Sequence, residues 1–282
     1  MTAFGRLATR MTVALSSRAR SASAAKVMVC AGLTVASPIL GAVKLQIREG
    51  RPIVDNVFVN NHGPFRFIVD TGTNVNLIES GLAKSMGMVA TFRVDLASAT
   101  GSMLMPGSNG NQIQLGPAEA GAQQFLFADL KDIRRQWPDV QGVLGQWFLA
   151  RFDYLLDLRG KQLEFGTRTP SGTRTPLTML NGRSSVATSL GDLVLDSGAP
   201  DLILFGVVPE RLDGGSGFLL TATGSQIIGK VVRSLAIGGR NLWSGSAVAI
   251  PTQAEPGVAG LMPIRFFKTI YVCNSQSYAV FE

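Results

Sequence analysis

Two short segments carry residue types that could do chemistry as a pair. Asp70-Thr71-Gly72 and Asp196-Ser197-Gly198 each place an aspartate at the end of an apolar run, Phe67-Ile68-Val69 and Leu193-Val194-Leu195. In both, a small hydroxyl residue and a glycine follow. One such tripeptide is ordinary turn composition. Two carboxylates brought within a few ångströms of each other cannot both ionise cheaply, so they share a proton and titrate as a pair. Such a pair has one member that can take a proton and one that can give it. Competing chemistries lack residues. His62 is the only histidine and sits among the turn formers Asn60-Asn61-His62-Gly63-Pro64, so a Ser-His-Asp triad or a histidine-rich zinc site has one side chain to build on. Of the two cysteines, Cys30 lies near the N-terminus and Cys273 in a strand-like run near the end, so a processed chain has no disulfide. Cys273 reads as a small core residue.

The elements that must position the aspartates are strands. Only 16% of the 282 residues are charged, 46% are apolar and 32 are glycine, which excludes disorder and coiled coil and favours a packed fold with many turns. Val57-Phe58-Val59 and Phe65-Arg66-Phe67-Ile68-Val69 flank the turn cluster and read as a hairpin. Short helices are expected at Ser80–Met86, closed by Gly87, and around Pro209–Leu212. The net charge of +7 comes mostly from residues 1–42, with five basic residues and no acid, against 21 basic and 19 acidic in the rest. A nucleic-acid partner is therefore not expected. Residues 1–43 read as a leader, basic and then apolar from Val27 to Val43. It is either an export signal, cleaved near Thr34-Val35-Ala36 or Gly41-Ala42, or a retained membrane anchor, with a transit peptide as the alternative. The expected location is exported, periplasmic or secreted.

The chain repeats itself. The second aspartate motif follows the first by 126 residues, and Ala99-Thr100-Gly101-Ser102 recurs as Ala222-Thr223-Gly224-Ser225. Leu115-Gly116 matches Ile237-Gly238, Val140–Leu144 matches Val258–Met262, and Tyr154-Leu155-Leu156 matches Tyr271-Val272-Cys273. The spacing falls steadily to 117, as in a duplication whose second copy lost loop residues. The Pro/Gly-rich stretch 167–176 reads as a linker between units 44–166 and 177–282. A pseudo-twofold axis between the copies would bring Asp70 beside Asp196.

Ile68-Val69-Asp70-Thr71-Gly72-Thr73 and Val194-Leu195-Asp196-Ser197-Gly198-Ala199, with Gly142-Val143-Leu144-Gly145 downstream, resemble the aspartic peptidases, in particular the two-lobed retropepsin-like type of bacteria. The resemblance covers about 44–282. It implies an all-β fold of two pseudo-symmetric barrel lobes with a cleft between them. It also implies an endopeptidase that acts on polypeptide as a monomer, without metal or organic cofactor, at acidic pH. Asp70 and Asp196 would be catalytic, Thr71 and Ser197 would hydrogen-bond across the lobes, and Gly72 and Gly198 would let backbone N–H groups approach the carboxylates. Thr73 can donate its hydroxyl to Asp70, whereas Ala199 offers none, so Asp70 is expected to ionise first. A flap is expected around Ala97–Gly107, with Thr100, Gly101, Ser102 and Met103 on the substrate. Pro263 stands where lobe 1 has Gly145, so the loop beneath Asp196 is expected to depart from the family pattern. The alternative is a non-catalytic peptide-binding or inhibitory protein on the same scaffold. No chemistry is read in Gly50–Asn56.

Overall fold

A computed structural model describes residues 41–98, 101–166, 171–209, 217–221, 224–252 and 255–282. The leader before residue 41, the tip Ala99-Thr100, residues 167–170 of the expected linker and residues 210–212 of the helix expected around Pro209–Leu212 lie outside the described residues.

The described chain is all-β, with short helices. Its first half runs β1 (Gly41–Lys44), β2 (Gln46–Arg48), β3 (Arg51–Val59), β4 (His62–Val69), β5 (Leu77–Glu79), β6 (Phe92–Ser98), β7 (Gly101–Leu115), β8 (Ala118–Ala128), β9 (Gly142–Leu144), β10 (Tyr154–Asp157) and β11 (Gln162–Phe165). The second runs β12 (Arg174–Pro176), β13 (Thr178–Leu180), β14 (Arg183–Thr188), β15 (Gly191–Asp196), β16 (Ile203–Phe205), β17 (Gly217–Thr221), β18 (Gly224–Ile237), β19 (Arg240–Ile250), β20 (Gly260–Pro263), β21 (Thr269–Cys273) and β22 (Tyr278–Phe281). Helix α1 (Ser80–Ser85) ends where Gly87 takes a positive φ of 69°, as its sequence signals. Helices α2 (Lys131–Gln136) and α3 (Gln146–Leu149) are too short to leave a periodic signature.

The duplication is complete at the level of strands. One eight-stranded sheet has the order β2-β3-β4-β9-β5-β8-β7-β6, and the other the order β13-β14-β15-β20-β16-β19-β18-β17. Each strand of the first has its counterpart eleven labels later. The remaining six form a shared sheet, β1-β11-β10-β21-β22-β12. At its centre Tyr154 pairs with Val272 and Leu155 with Tyr271. Because Tyr154-Leu155 and Tyr271-Val272 are equivalent in the repeat, this pairing is self-complementary, as a twofold axis requires. The outer strands begin earlier than the sequence boundaries at 44 and 177. Gly41–Val43, assigned to the leader, form β1, and Arg174–Pro176, assigned to the linker, form β12. A proline is tolerated there because β12 is an edge strand.

The β3–β4 hairpin turns on Asn60 and Asn61, with φ of 50° and 65°. Two successive positive φ values match the twist of the flanking strands, and asparagine adopts them more readily than most residues. His62 is exposed, its Nδ1 2.9 Å from the Asn60 carbonyl. A core containing Val54, Phe67, Phe125, Phe148, Leu195, Leu235 and Val272 runs through both halves. Cys273 is buried in β21.

Candidate active site

Asp70 follows β4, and Asp196 ends β15, each a central strand of its sheet. In each half the strand pairs in parallel with a short strand from the hydrophobic-hydrophobic-Gly element: Val69 with Leu144 of β9, and Leu195 with Met262 of β20. The ends of β4 and β15 next to the aspartates, Phe67-Ile68-Val69 and Leu193-Val194-Leu195, are apolar and buried, as strands covered on both faces are. The loops beyond them therefore leave the sheets at fixed positions.

The two loops interlock through their hydroxyl residues. Thr71 Oγ1 accepts from Ser197 N (3.0 Å) and donates to Leu195 O (2.8 Å). Reciprocally, Ser197 Oγ accepts from Thr71 N (2.9 Å) and donates to Val69 O (2.7 Å). All four bonds are buried, where breaking one strands a donor or acceptor at about 1–3 kcal/mol. The glycines set how close the loops come. A Cβ on Gly72 would lie 2.2 Å from Asp196 Cγ, and one on Gly198 would lie 2.8 Å from Asp70 Oδ2. Each loop needs glycine because the other half's aspartate occupies the space.

The structure thus brings Asp70 and Asp196 together, 8% and 5% exposed. Burial pushes both carboxyl groups above their ordinary range, Asp70 further because it also faces the charge of Asp196. The expectation that Asp70 ionises first is corrected. Thr73 turns its hydroxyl within its own loop, accepting from Val75 N at 3.5 Å. Asp70 Oδ1 accepts from Gly72 N (2.9 Å), whereas Asp196 Oδ1 accepts from both Gly198 N (2.7 Å) and Ala199 N (2.9 Å). Backbone donors, not a side-chain hydroxyl, make Asp196 the readier of the two to ionise. Ala199 contributes through its N–H, which no side-chain inventory could rank.

Two buried arginines were missed in the sequence. Arg51, at the start of β3, donates Nε–H to the Gly198 carbonyl (2.8 Å) and lies over the Trp137 ring at 5.1 Å. Its counterpart Arg183, at the start of β14, donates Nη1–H to the Gly72 carbonyl (3.2 Å) and pairs through Nη2 with buried Glu255. Each half thus holds the other half's aspartate loop by a glycine carbonyl. The signal was present: Gly50-Arg51 and Gly182-Arg183 repeat at a spacing of 132, extending the falling series upstream. Gln146 adds a further support, its Nε2 2.9 Å from the Thr71 carbonyl.

The loops differ where glycine and proline differ. Gly145 N donates to Asn76 Oδ1 (3.0 Å), and a Cβ there would lie 2.1 Å from the Val75 carbonyl. In the second half Pro263 has no N–H, and the residue in the place of Asn76 is the buried, apolar Leu202. The polar pair is replaced as a unit.

Of the expected flap residues, Thr100 lies outside the described residues. Gly101, Ser102 and Met103 belong to β7, which pairs with β6 as far as Ser98 opposite Gly101. Met103 and Leu104 are 40% and 54% exposed, while Met105 is buried.

Residues 56–148 match the family model described as aspartyl protease. Over that segment, which includes Asp70-Thr71-Gly72, the chain is similar to the aspartyl proteases of retropepsin-like type, as the sequence resemblance implied. The match supports a protease, and so a hydrolase acting on polypeptide. No curated protein matches the chain.

Proposed function

We propose that this protein is an aspartic endopeptidase built as two pseudo-symmetric β-barrel lobes, about 44–166 and 177–282 with the early strands β1 and β12 added, around a cleft that holds Asp70 and Asp196. The observation that carries this reading is the reciprocal interlock of the two aspartate loops, which places two buried carboxyl groups side by side. Two desolvated acids are costly to keep side by side unless their shared proton is used.

In the catalytic cycle Asp196 begins ionised and Asp70 protonated. Asp196 takes a proton from a water whose oxygen attacks the scissile carbonyl carbon, while Asp70 gives its proton to the carbonyl oxygen. The product is a neutral gem-diol, with Asp196 now protonated and Asp70 ionised. On collapse the proton on Asp196 passes to the amide nitrogen, one gem-diol hydroxyl returns its proton to Asp70, and the C–N bond breaks. The pair is left as it started. The rate is highest where the pair holds one proton.

The β6–β7 hairpin serves as the flap, its exposed Met103 and Leu104 available to apolar substrate side chains. Both aspartates come from one chain, so the active form is a monomer. The apolar leader directs export to the periplasm or the exterior, or holds the protein at a membrane. The test is incubation of the full chain with a mixed peptide library from acid to neutral pH, beside Asp70→Asn and Asp196→Asn, with products read by mass spectrometry. Cleavage lost in both variants is the expected result. Cleavage surviving in either overturns the dyad. Peptide binding without cleavage by the folded protein favours the non-catalytic binding reading instead.

A further inference from the structure

Arg51 and Arg183 occupy equivalent positions, but their hydrogen bonds continue differently. The carbonyl that Arg51 holds belongs to the Gly198–Ala199 peptide, and the N–H of that same peptide donates to Asp196 Oδ1 at 2.9 Å. In the other half the carbonyl held by Arg183 belongs to the Gly72–Thr73 peptide. The N–H of that peptide turns to the Asp70 backbone carbonyl at 3.5 Å and not to the carboxylate. Only the second-half peptide connects an arginine to a catalytic carboxylate.

We propose that Arg51 is the positioning residue that makes Asp196 the base of the dyad, acting through the Gly198–Ala199 peptide. A cation at the carbonyl end of an amide polarises it and strengthens the N–H at its other end, as in any hydrogen-bonded chain of low local dielectric. The same bond fixes the loop that presents the N–H groups of Gly198 and Ala199. Arg51 is suited to this because its charge is not spent on a contacting carboxylate. Nη1 and Nη2 are buried without a hydrogen-bond partner, whereas Arg183 is in contact with Glu255. The charged groups around Arg51 are Asp196, Asp70, Glu49 and Asp201, and those around Asp196 are Asp70 and Arg183 besides Arg51. The aromatic face of Trp137 holds the guanidinium from the other side. This inference rests on the dyad reading above.

The experiment compares the full chain with Arg51→Gln and Arg51→Lys. It records the pH profile of kcat/KM on a cleaved peptide and the 13C-carboxyl NMR titration of the two aspartates. In Arg51→Gln the acid limb of the profile moves up by about one pH unit, an activity loss of about tenfold on that flank that closes toward neutral pH. Arg51→Lys, which keeps a charged donor, holds the limb near its wild-type position. A uniform loss at every pH with the limb in place makes Arg51 a structural support and overturns the proposal, as does a Lys variant that shifts as far as Gln. If Arg51→Gln does not fold, the titration of the wild-type and Lys proteins decides. Asp196 must lose its proton before Asp70 in both, and the reverse order overturns the proposal. The titration needs no peptidase activity, so failure of the peptidase reading is told apart from failure of this one.

Discussion

The two aspartate loops are made from equivalent strands, yet they hold their carboxylates differently. Around Asp70 one backbone N–H, that of Gly72, reaches the carboxylate, and the loop's other supports are polar side chains. Asn76 receives Gly145 N–H, and Gln146 holds the Thr71 carbonyl. Around Asp196 the supports are backbone N–H groups from Gly198 and Ala199, over a floor of Leu202 and Pro263. Backbone donors aimed at a carboxylate favour its charged form. With one such donor against two, the ionisation of Asp70 is left more to burial and to its neighbour. A duplicated fold therefore places two acids in unlike surroundings from one motif, and the difference lies in the direction of a few N–H bonds.

This contrast can be broken at several points. The largest effect is expected from Asp70→Asn and Asp196→Asn, each lowering kcat/KM by about 10²–10⁴-fold if both acids are needed. Steady-state kinetics on a cleaved peptide checks this, and a variant that keeps its activity ends the division of roles. Next comes Arg183→Met. It leaves Glu255 buried without its cation, at a cost of about 3–5 kcal/mol in denaturant unfolding. Arg51→Met removes no contacting carboxylate's partner and should cost less. Equal losses would mean that the two arginines do the same work. Glycine substitution comes third. Gly72→Ala should destabilise by about 1–3 kcal/mol and more than Gly198→Ala, because its new Cβ meets Asp196 Cγ at 2.2 Å against 2.8 Å for the other contact. Thermal unfolding of the pair gives the order directly.

The smallest effect is a slope. The Asp70 carboxyl group titrates higher in the folded protein than in the unfolded chain, so between those two values the folded state binds more protons. Stability is then fully present below the unfolded value and is lost as pH rises through the folded one. Asp196 is raised as well, and the two act as a coupled pair. Asp70→Asn removes the contribution of the more strongly raised member, so its melting temperature should fall less from acid to neutral pH than that of the wild type. A variant with an unchanged slope would show that the excess proton is not held by Asp70.

Much of this site could be read in advance because its residues repeat. The tripeptides, the hydrophobic-hydrophobic-Gly elements and the Ala-Thr-Gly-Ser segments declare equivalence, and equivalence implies an axis that brings Asp70 to Asp196. The β3–β4 hairpin and α1 followed from local turn and cap chemistry at Asn60, Asn61 and Gly87. The order of ionisation did not follow, because it depends on whether Thr73 Oγ1 or Ala199 N points at a carboxylate, and residue type alone does not fix direction. Arg51 and Arg183 escaped for another reason. A charged residue at the start of a strand ordinarily faces solvent, and only the tertiary approach of the opposite loop buries these two. The strands β1 and β12 were assigned to leader and linker because their value lies in pairing with distant strands, not in their own composition.

The central pairing of β10 with β21 has a consequence for how the protein responds to dilution. A self-complementary edge is one that two separate copies of a half could also use, but such an assembly would dissolve as concentration falls. Joining the halves in one chain makes their meeting intramolecular, which raises their effective concentration far above that of two free copies. The two aspartates therefore stay together at any dilution. One sequence change per half can also be fixed independently, which two identical copies could never allow.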